Sequence, residues 1–296
     1  MFTRQRQSCA EKQKLFPCLH HKQRRTIKMK EKVYKTNSGD IHYWTNKIRP
    51  DRTSLIMLPG LTADHHLFDK QVKVFRENYN VFTWDAPGHA ASRPFELNFT
   101  LMDKSRWLHE ILEQEGIKNP VLIGQSMGGY VSQSFLEQFP GEAAGFVSID
   151  SAPLKRYYVT DIEIWLLKRT EPMYRAFPWN LLKVLGSNGC SKTRYGQALM
   201  RHFVDSYTKD EYCRLAGHGF GMLADAMEAD LPYEIDCPAI LICGTRDEAG
   251  SAKNYNKRWA KHEGLPIYWI RGAGHNANTD RPELVNNIIY DFLESL

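Results

Sequence analysis

The stretch Val121-Leu122-Ile123-Gly124-Gln125-Ser126-Met127-Gly128-Gly129 joins an apolar run of strand length to an amphipathic helix in which Met127, Val131 and Phe135 recur every four residues. A Gly-x-Ser-x-Gly pentad alone is weak, since ordinary Gly and Ser usage yields it by chance in roughly one chain in ten of this length. Between a strand and a helix it gains a mechanical reason. The turn is so sharp that the serine backbone is strained, and only small residues at 124 and 128 let strand and helix approach. Ser126 is thereby held out at the end of a sheet, where its hydroxyl can attack.

Outward from this turn, short β-like runs alternate with helical patterns, the signature of a mostly parallel sheet covered on both faces. Strands are expected at residues 54–58, 80–84, 121–124, 145–149, 239–243 and 267–270. Before them, residues 32–36 and 41–45 flank Asn37-Ser38-Gly39-Asp40 and read as an antiparallel hairpin, making eight strands. The helix over 101–114 opens on a Thr100/Asp103 capping box, and the last begins near Asp280 with Pro282 in its first turn. Residues 152–236 break the alternation. They show helix-like segments near 161–175, 191–205 and 209–229, no convincing strand, and twelve aromatic residues, as a helical lid inserted after the sixth strand would. The α/β core is then 29–151 plus 237–296, with 1–28 as a basic, dispensable tail.

A serine hydroxyl is a poor nucleophile without a base to take its proton. His275, in Arg271-Gly272-Ala273-Gly274-His275, follows the last strand on a Gly-rich loop that can present a ring at the sheet's edge. His89 reads as a packing residue, while His65 and His66 lie near the loop after the third strand, solvated or touching substrate. The base needs a carboxylate to fix its tautomer and stabilise the imidazolium. Leu241-Ile242-Cys243-Gly244-Thr245-Arg246-Asp247-Glu248 ends another strand and offers Asp247, with Glu248 and Asp150 as alternatives.

Composition narrows the partners. The net charge of +5 is misleading, because residues 1–32 carry +8 and the remainder −3. Such a charge run usually reads as a solvated tail, so no nucleic-acid partner is expected. No run approaches the roughly 18 apolar residues of a membrane span. The six cysteines lack metal-ligand spacing, so neither metal nor cofactor is implied, and apolar settings for Cys237 and Cys243 suit a reducing cytoplasm.

The turn at Ser126, the Gly244-Thr245-Arg246-Asp247 strand end, the Gly274-His275 loop and the inserted helices together resemble the α/β-hydrolase family over about residues 30–296. The resemblance implies an eight-stranded, mostly parallel sheet with its second strand antiparallel. It also implies an oxyanion hole from the backbone N–H groups of Met127 and of Leu61, in Pro59-Gly60-Leu61. Pro59 replaces a His found in many relatives, but the donor position lies two residues later. Ala90 stands where the family often has Gly. The expected chemistry is acyl transfer to water through Ser126, His275 and Asp247, on a small molecule with an apolar acyl or ring group. Arg156, Arg169 and Arg175 in the insertion offer an anion instead. Carboxylic esters are the simplest substrates; thioesters, amides and carbon–carbon bonds beside a ketone fit the same groups. A ligand receptor or a lyase retaining the triad is the alternative.

Overall fold

The computed structural model describes residues 28–296, so the expected basic tail lies, apart from Lys28, outside the described residues. Strands β1 (Lys30–Lys35), β2 (Asp40–Thr45), β3 (Ser54–Leu58), β4 (Asn80–Trp84), β5 (Val121–Gln125), β6 (Gly145–Ile149), β7 (Ala239–Gly244) and β8 (Ile267–Ile270) form one sheet. Their order is β1-β2-β4-β3-β5-β6-β7-β8. β2 runs antiparallel to both neighbours, and every other pair is parallel. The five strands β3 to β7 are buried along their whole length, as expected where helices cover both faces.

The period-two alternation of those strands divides the core in two. Ile56, Leu58, Phe82, Leu122, Phe146 and Leu241 face the side covered by α2 (Leu101–Gln114) and α3 (Met127–Gln138). Leu55, Met57, Val121, Ile123, Val147 and Ile242 face the side covered by α1 (Asp69–Phe75) and the C-terminal helix. The Thr100/Asp103 capping box is formed as expected at the start of α2.

Between β6 and β7 stand α4 (Asp161–Leu167), α5 (Thr170–Ala176), α6 (Trp179–Cys190), α7 (Arg194–Asp205) and α8 (Lys209–Ala229). Three helical segments are expected there from the sequence; the structure has five. The segment expected over 161–175 breaks at Lys168–Arg169, and α6 is additional. Pro172 explains the break: in the first turn of α5 its missing N–H costs nothing, whereas inside one continuous helix it would remove a hydrogen bond. After β7 come α9 (Ala252–Glu263), the short α10 (Ala277–Asp280) and α11 (Pro282–Leu293). No helix among the described residues is long and apolar enough to cross a membrane.

The strand order reverses direction at β3, whose neighbours are β4 on one side and β5 on the other. Loops leaving the C-terminal ends of β3 and β5 therefore diverge and open a crevice, where open α/β sheets bind ligands. Leu61, His89, Ser126, Met127, Asp150, Asp247, Glu248 and His275 all leave the sheet at this edge within six positions of a strand end, whereas His65, His66 and the three insertion arginines lie further along the chain.

Candidate active site

Ser126 directly follows β5, with φ 50° and ψ −116°. A side-chain-bearing residue in this region stores about 1–3 kcal/mol of strain and persists only where its surroundings over-determine it. They do so here. Ser126 N–H donates to the Ile149 carbonyl at 2.9 Å, and its carbonyl accepts from Gly129 N–H at 2.9 Å and the Ser151 hydroxyl at 2.8 Å. The two glycines are sterically required. A Cβ on Gly128 would stand 1.9 Å from the Leu58 carbonyl oxygen, and one on Gly124 would stand 2.4 Å from the Gly128 backbone.

The sheet edge brings three distant residues together. His275 Nε2 lies 2.8 Å from Ser126 Oγ, and His275 Nδ1 lies 3.1 and 3.0 Å from the two carboxylate oxygens of Asp247. The Asp247 side chain has no solvent exposure and that of His275 has 13%. Burial pulls the imidazole pKa down, but the charge and hydrogen bond of Asp247, with Asp150 behind it, outweigh that effect. His275 consequently stands above its ordinary value.

The loop after β3 abuts the serine: a Cβ on Gly60 would stand 3.1 Å from Ser126 Cβ. Among the described residues, neither Leu61 N–H nor Met127 N–H donates to a protein acceptor. The backbone of α8 closes over this loop, since a Cβ on Gly219 would meet Leu61 Cδ1 at 2.6 Å.

The other acids sit elsewhere. Glu248 pairs with Lys192 at 2.7 Å and faces solvent. Asp150 is buried with φ 48°, and its two oxygens accept from Gly244 N–H at 2.7 Å and Ala277 N–H at 2.8 Å. It thus ties the loop bearing Asp247 to the loop bearing His275 without touching either side chain by hydrogen bond. Burial and the Asp247 charge hold the Asp150 carboxyl well above the usual carboxylate range. Asp150, Cys243 and Asp247 place three possible metal donors within 4.8 Å of one another. The donors do not fit a cation, because burial pushes the thiol far up and both carboxylates are already engaged by N–H groups.

The remaining candidates are structural. His65 Nδ1 meets Asp85 at 2.8 Å, and its ring stacks on Trp44 with centroids 3.6 Å apart. His66 pairs with Asp64 at 3.0 Å. Arg156 pairs with Asp161, Arg175 with Glu171 and Asp210, and Arg169 lies over the Trp165 ring.

Two positioning residues escape the sequence. Gln125 Nε2 donates to the His275 carbonyl at 2.8 Å and to Asn276 Oδ1 at 3.0 Å, pinning the histidine loop to the serine turn. Asp280 accepts from Gly274 N–H at 2.8 Å, from Lys192 and Thr193 N–H groups at 2.9 and 3.0 Å, and from the Ser191 hydroxyl. That carboxylate anchors the insertion to the same loop. Its place just before Pro282 suggests a helix cap and gives no hint of these partners.

The family profile described as alpha/beta hydrolase fold matches residues 53–164. An uncharacterized hydrolase of Bacillus subtilis, YugF, is 26% identical over 85% of this chain and 94% of its own. Monoacylglycerol lipase abhd6-B of Xenopus laevis is 23% identical over 92% of this chain and 85% of its own. Among solved structures, a thermophilic esterase from Thermogutta terrifontis superposes with a TM-score of 0.71 at 18% identity, covering 90% of this chain and 98% of the esterase. With the sheet order, the turn at Ser126 and these likenesses in hand, the chain has the α/β hydrolase fold.

Proposed function

We propose that the chain is a serine hydrolase that cleaves a small carboxylic ester, or a related acyl bond, through Ser126, His275 and Asp247. One observation carries this: an imidazole 2.8 Å from the strained serine's hydroxyl, with a buried carboxylate 3.0 Å from its other nitrogen. His275 takes the Ser126 proton as Oγ attacks the acyl carbon. The developing oxyanion is held by the N–H groups of Leu61 and Met127, which have no other use in the fold. The leaving alcohol departs with the proton from His275, and a water molecule then repeats the sequence on the acyl-enzyme.

The helices of residues 152–236 serve as the lid over a core of 29–151 and 237–296. Hydrolase, esterase and monoacylglycerol lipase names among the relatives support acyl chemistry, on a substrate with an apolar acyl or ring group. The four described cysteines are free, in keeping with a reducing cytoplasm.

The test pairs fluorophosphonate labelling with turnover of a 4-nitrophenyl ester panel. Wild type should label at Ser126 and turn over the esters, and Ser126→Ala should lose both. Normal turnover by Ser126→Ala would overturn the assignment. Labelling without turnover would point to a receptor instead.

A further inference from the structure

Beneath α8 lies a cluster that the hydrolysis chemistry does not use. Lys104, on α2, is 2% exposed, yet its ammonium has no hydrogen-bond partner and no carboxylate at ion-pair distance among the described residues. Two imidazoles accompany it. His89, 1% exposed, gives its Nδ1–H to the Pro87 carbonyl at 3.0 Å, leaving Nε2 buried without a partner. His218 Nε2 is likewise buried and unpartnered, and the imidazole packs edge-to-face with the Phe99 ring, 4.5 Å between centroids. A Cβ on Gly88, beside His89, would stand 3.3 Å from Leu215, which lies one turn before His218 on the same face of α8. That face continues to Gly219, the residue closed over Leu61. The cluster and the candidate oxyanion loop therefore share one ceiling.

The charge of this cluster is uncompensated. Burial brings Lys104 down only to about 8, so it keeps its proton at neutral pH. Burial and the Lys104 charge bring His89 to about 3 and His218 to about 4, so both stay neutral. Buried charges are ordinarily paired, and an unpaired one is retained against a cost of several kcal/mol. The buried acids near the site, Asp150, Asp247 and Asp280, are each satisfied by two or more donors.

We propose that Lys104, with His218, forms an anion subsite that receives a carboxylate carried by the substrate, so that the preferred esters bear a free acid group remote from the scissile bond. Lys104 supplies three N–H donors and the counter-charge. His218 supplies a fourth donor in its Nε2–H tautomer, and His89 can only accept. The three insertion arginines, engaged by acids or an aromatic ring at the surface, leave this recognition to Lys104.

This rests on the hydrolase proposal, and the test separates the two. The selectivity ratio is kcat/KM for 4-nitrophenyl monoesters of C6 to C8 dicarboxylic acids divided by that for methyl-ended esters of equal length. Lys104→Met should lower the ratio at least tenfold, and His218→Leu should lower it in the same direction. Lys104→Gln is the substitute should the methionine variant not fold. A ratio within about threefold of wild type in the folded Lys104 variant would overturn the subsite. Calorimetric titration with adipate reads binding without turnover: wild type should bind, and the variant at least tenfold more weakly. Equal binding by both, or binding by neither, would overturn the subsite. Adipate binding lost in the variant while no ester is turned over by wild type would sustain the subsite and sink the hydrolase proposal alone.

Discussion

Replacing Gly128 by alanine should damage stability and activity together, because the two share one contact. The new Cβ would stand 1.9 Å from the Leu58 carbonyl oxygen, 2.6 Å from the carbonyl carbon and 2.9 Å from Leu58 Cβ. Comfortable non-bonded separation is about 3.5 Å, so strand and helix must part by roughly 1.5 Å. Neither can yield cheaply: Leu58 ends a central strand hydrogen-bonded on both sides, and α3 is packed along its length. Overpacking usually costs 1–3 kcal/mol where side chains give way; backbone against backbone puts this case near or above about 3 kcal/mol. For a chain of this size that lowers Tm by roughly 6–12 °C. The same displacement moves Ser126 and Met127 N–H relative to His275 and Leu61, and a misplacement near 1 Å can cost about 10²-fold in rate. Calorimetry and ester hydrolysis read the two effects. Gly221→Ala is the control, since its Cβ meets nothing within 4 Å in mid-helix and should stabilise by about 0.5–1 kcal/mol. A Gly128→Ala protein melting and turning over like wild type would refute the steric account of the serine turn.

Hydrolysis should fall in acid along a limb set by His275, centred above the free-imidazole value because the folded site raises its pKa; a limb centred below that value would contradict the Asp247 pairing. Asp247→Asn should lower kcat by about 10⁴-fold by analogy with other triads, whereas Glu248→Gln, freeing only a surface contact to Lys192, should stay within about twofold; equal losses would reopen the choice of acid. Asp150→Ala strips the acceptors from Gly244 N–H and Ala277 N–H, at about 1–3 kcal/mol for each buried donor, and should lower Tm along with kcat; unchanged values would deny the tie between the two loops. His89, buried and held near 3, binds a proton on unfolding below its ordinary pKa, so the unfolded state gains protons as pH falls and stability drops. The His89 contribution to the loss between pH 7 and pH 5 is about 2 kcal/mol, measurable by urea denaturation, and it should shrink in His89→Gln.

The strands were legible because β3 to β7, covered on both faces, are near-continuous apolar runs bounded by turn residues, and the register follows from that burial. The serine turn was legible for a local reason, since the glycines at 124 and 128 answer a clash a few residues away. The insertion was less so. Helix α6 carries Gly186, Ser187, Asn188 and Gly189 in its second half, all poor helix formers, and tertiary packing overrides them. The division of labour among acids was not fully legible either. Asp150, Asp247, Glu248 and Asp280 all stand at the sheet edge or in the loops beside it, and only the meeting of β6, β7, α7 and α10 assigns one to the imidazole, two to backbone N–H groups and one to a surface lysine.

What separates structural from working polar groups here is whether the fold has already satisfied them. Gln125, Asp150 and Asp280 cross-link the loops of Ser126, Asp247 and His275, and Asp280 ties the insertion to them as well, through bonds to other groups of the protein that fix the geometry. Three of the groups left open around the site are donors. Leu61 N–H, Met127 N–H and the Lys104 ammonium are all donors without a protein acceptor, disposed on two sides of the contact between Leu61 and Gly219. Open donors in a poorly solvated edge favour negative charge wherever it resides. On the proposed chemistry, charge at Leu61 and Met127 would arise only as the acyl carbon becomes tetrahedral, so those contacts would accelerate the reaction. At Lys104 the charge of the proposed substrate carboxylate would be present before and after, so that contact would select the substrate without lowering its barrier. Lys104 variants should therefore act mainly through KM, and changes at the oxyanion donors through kcat.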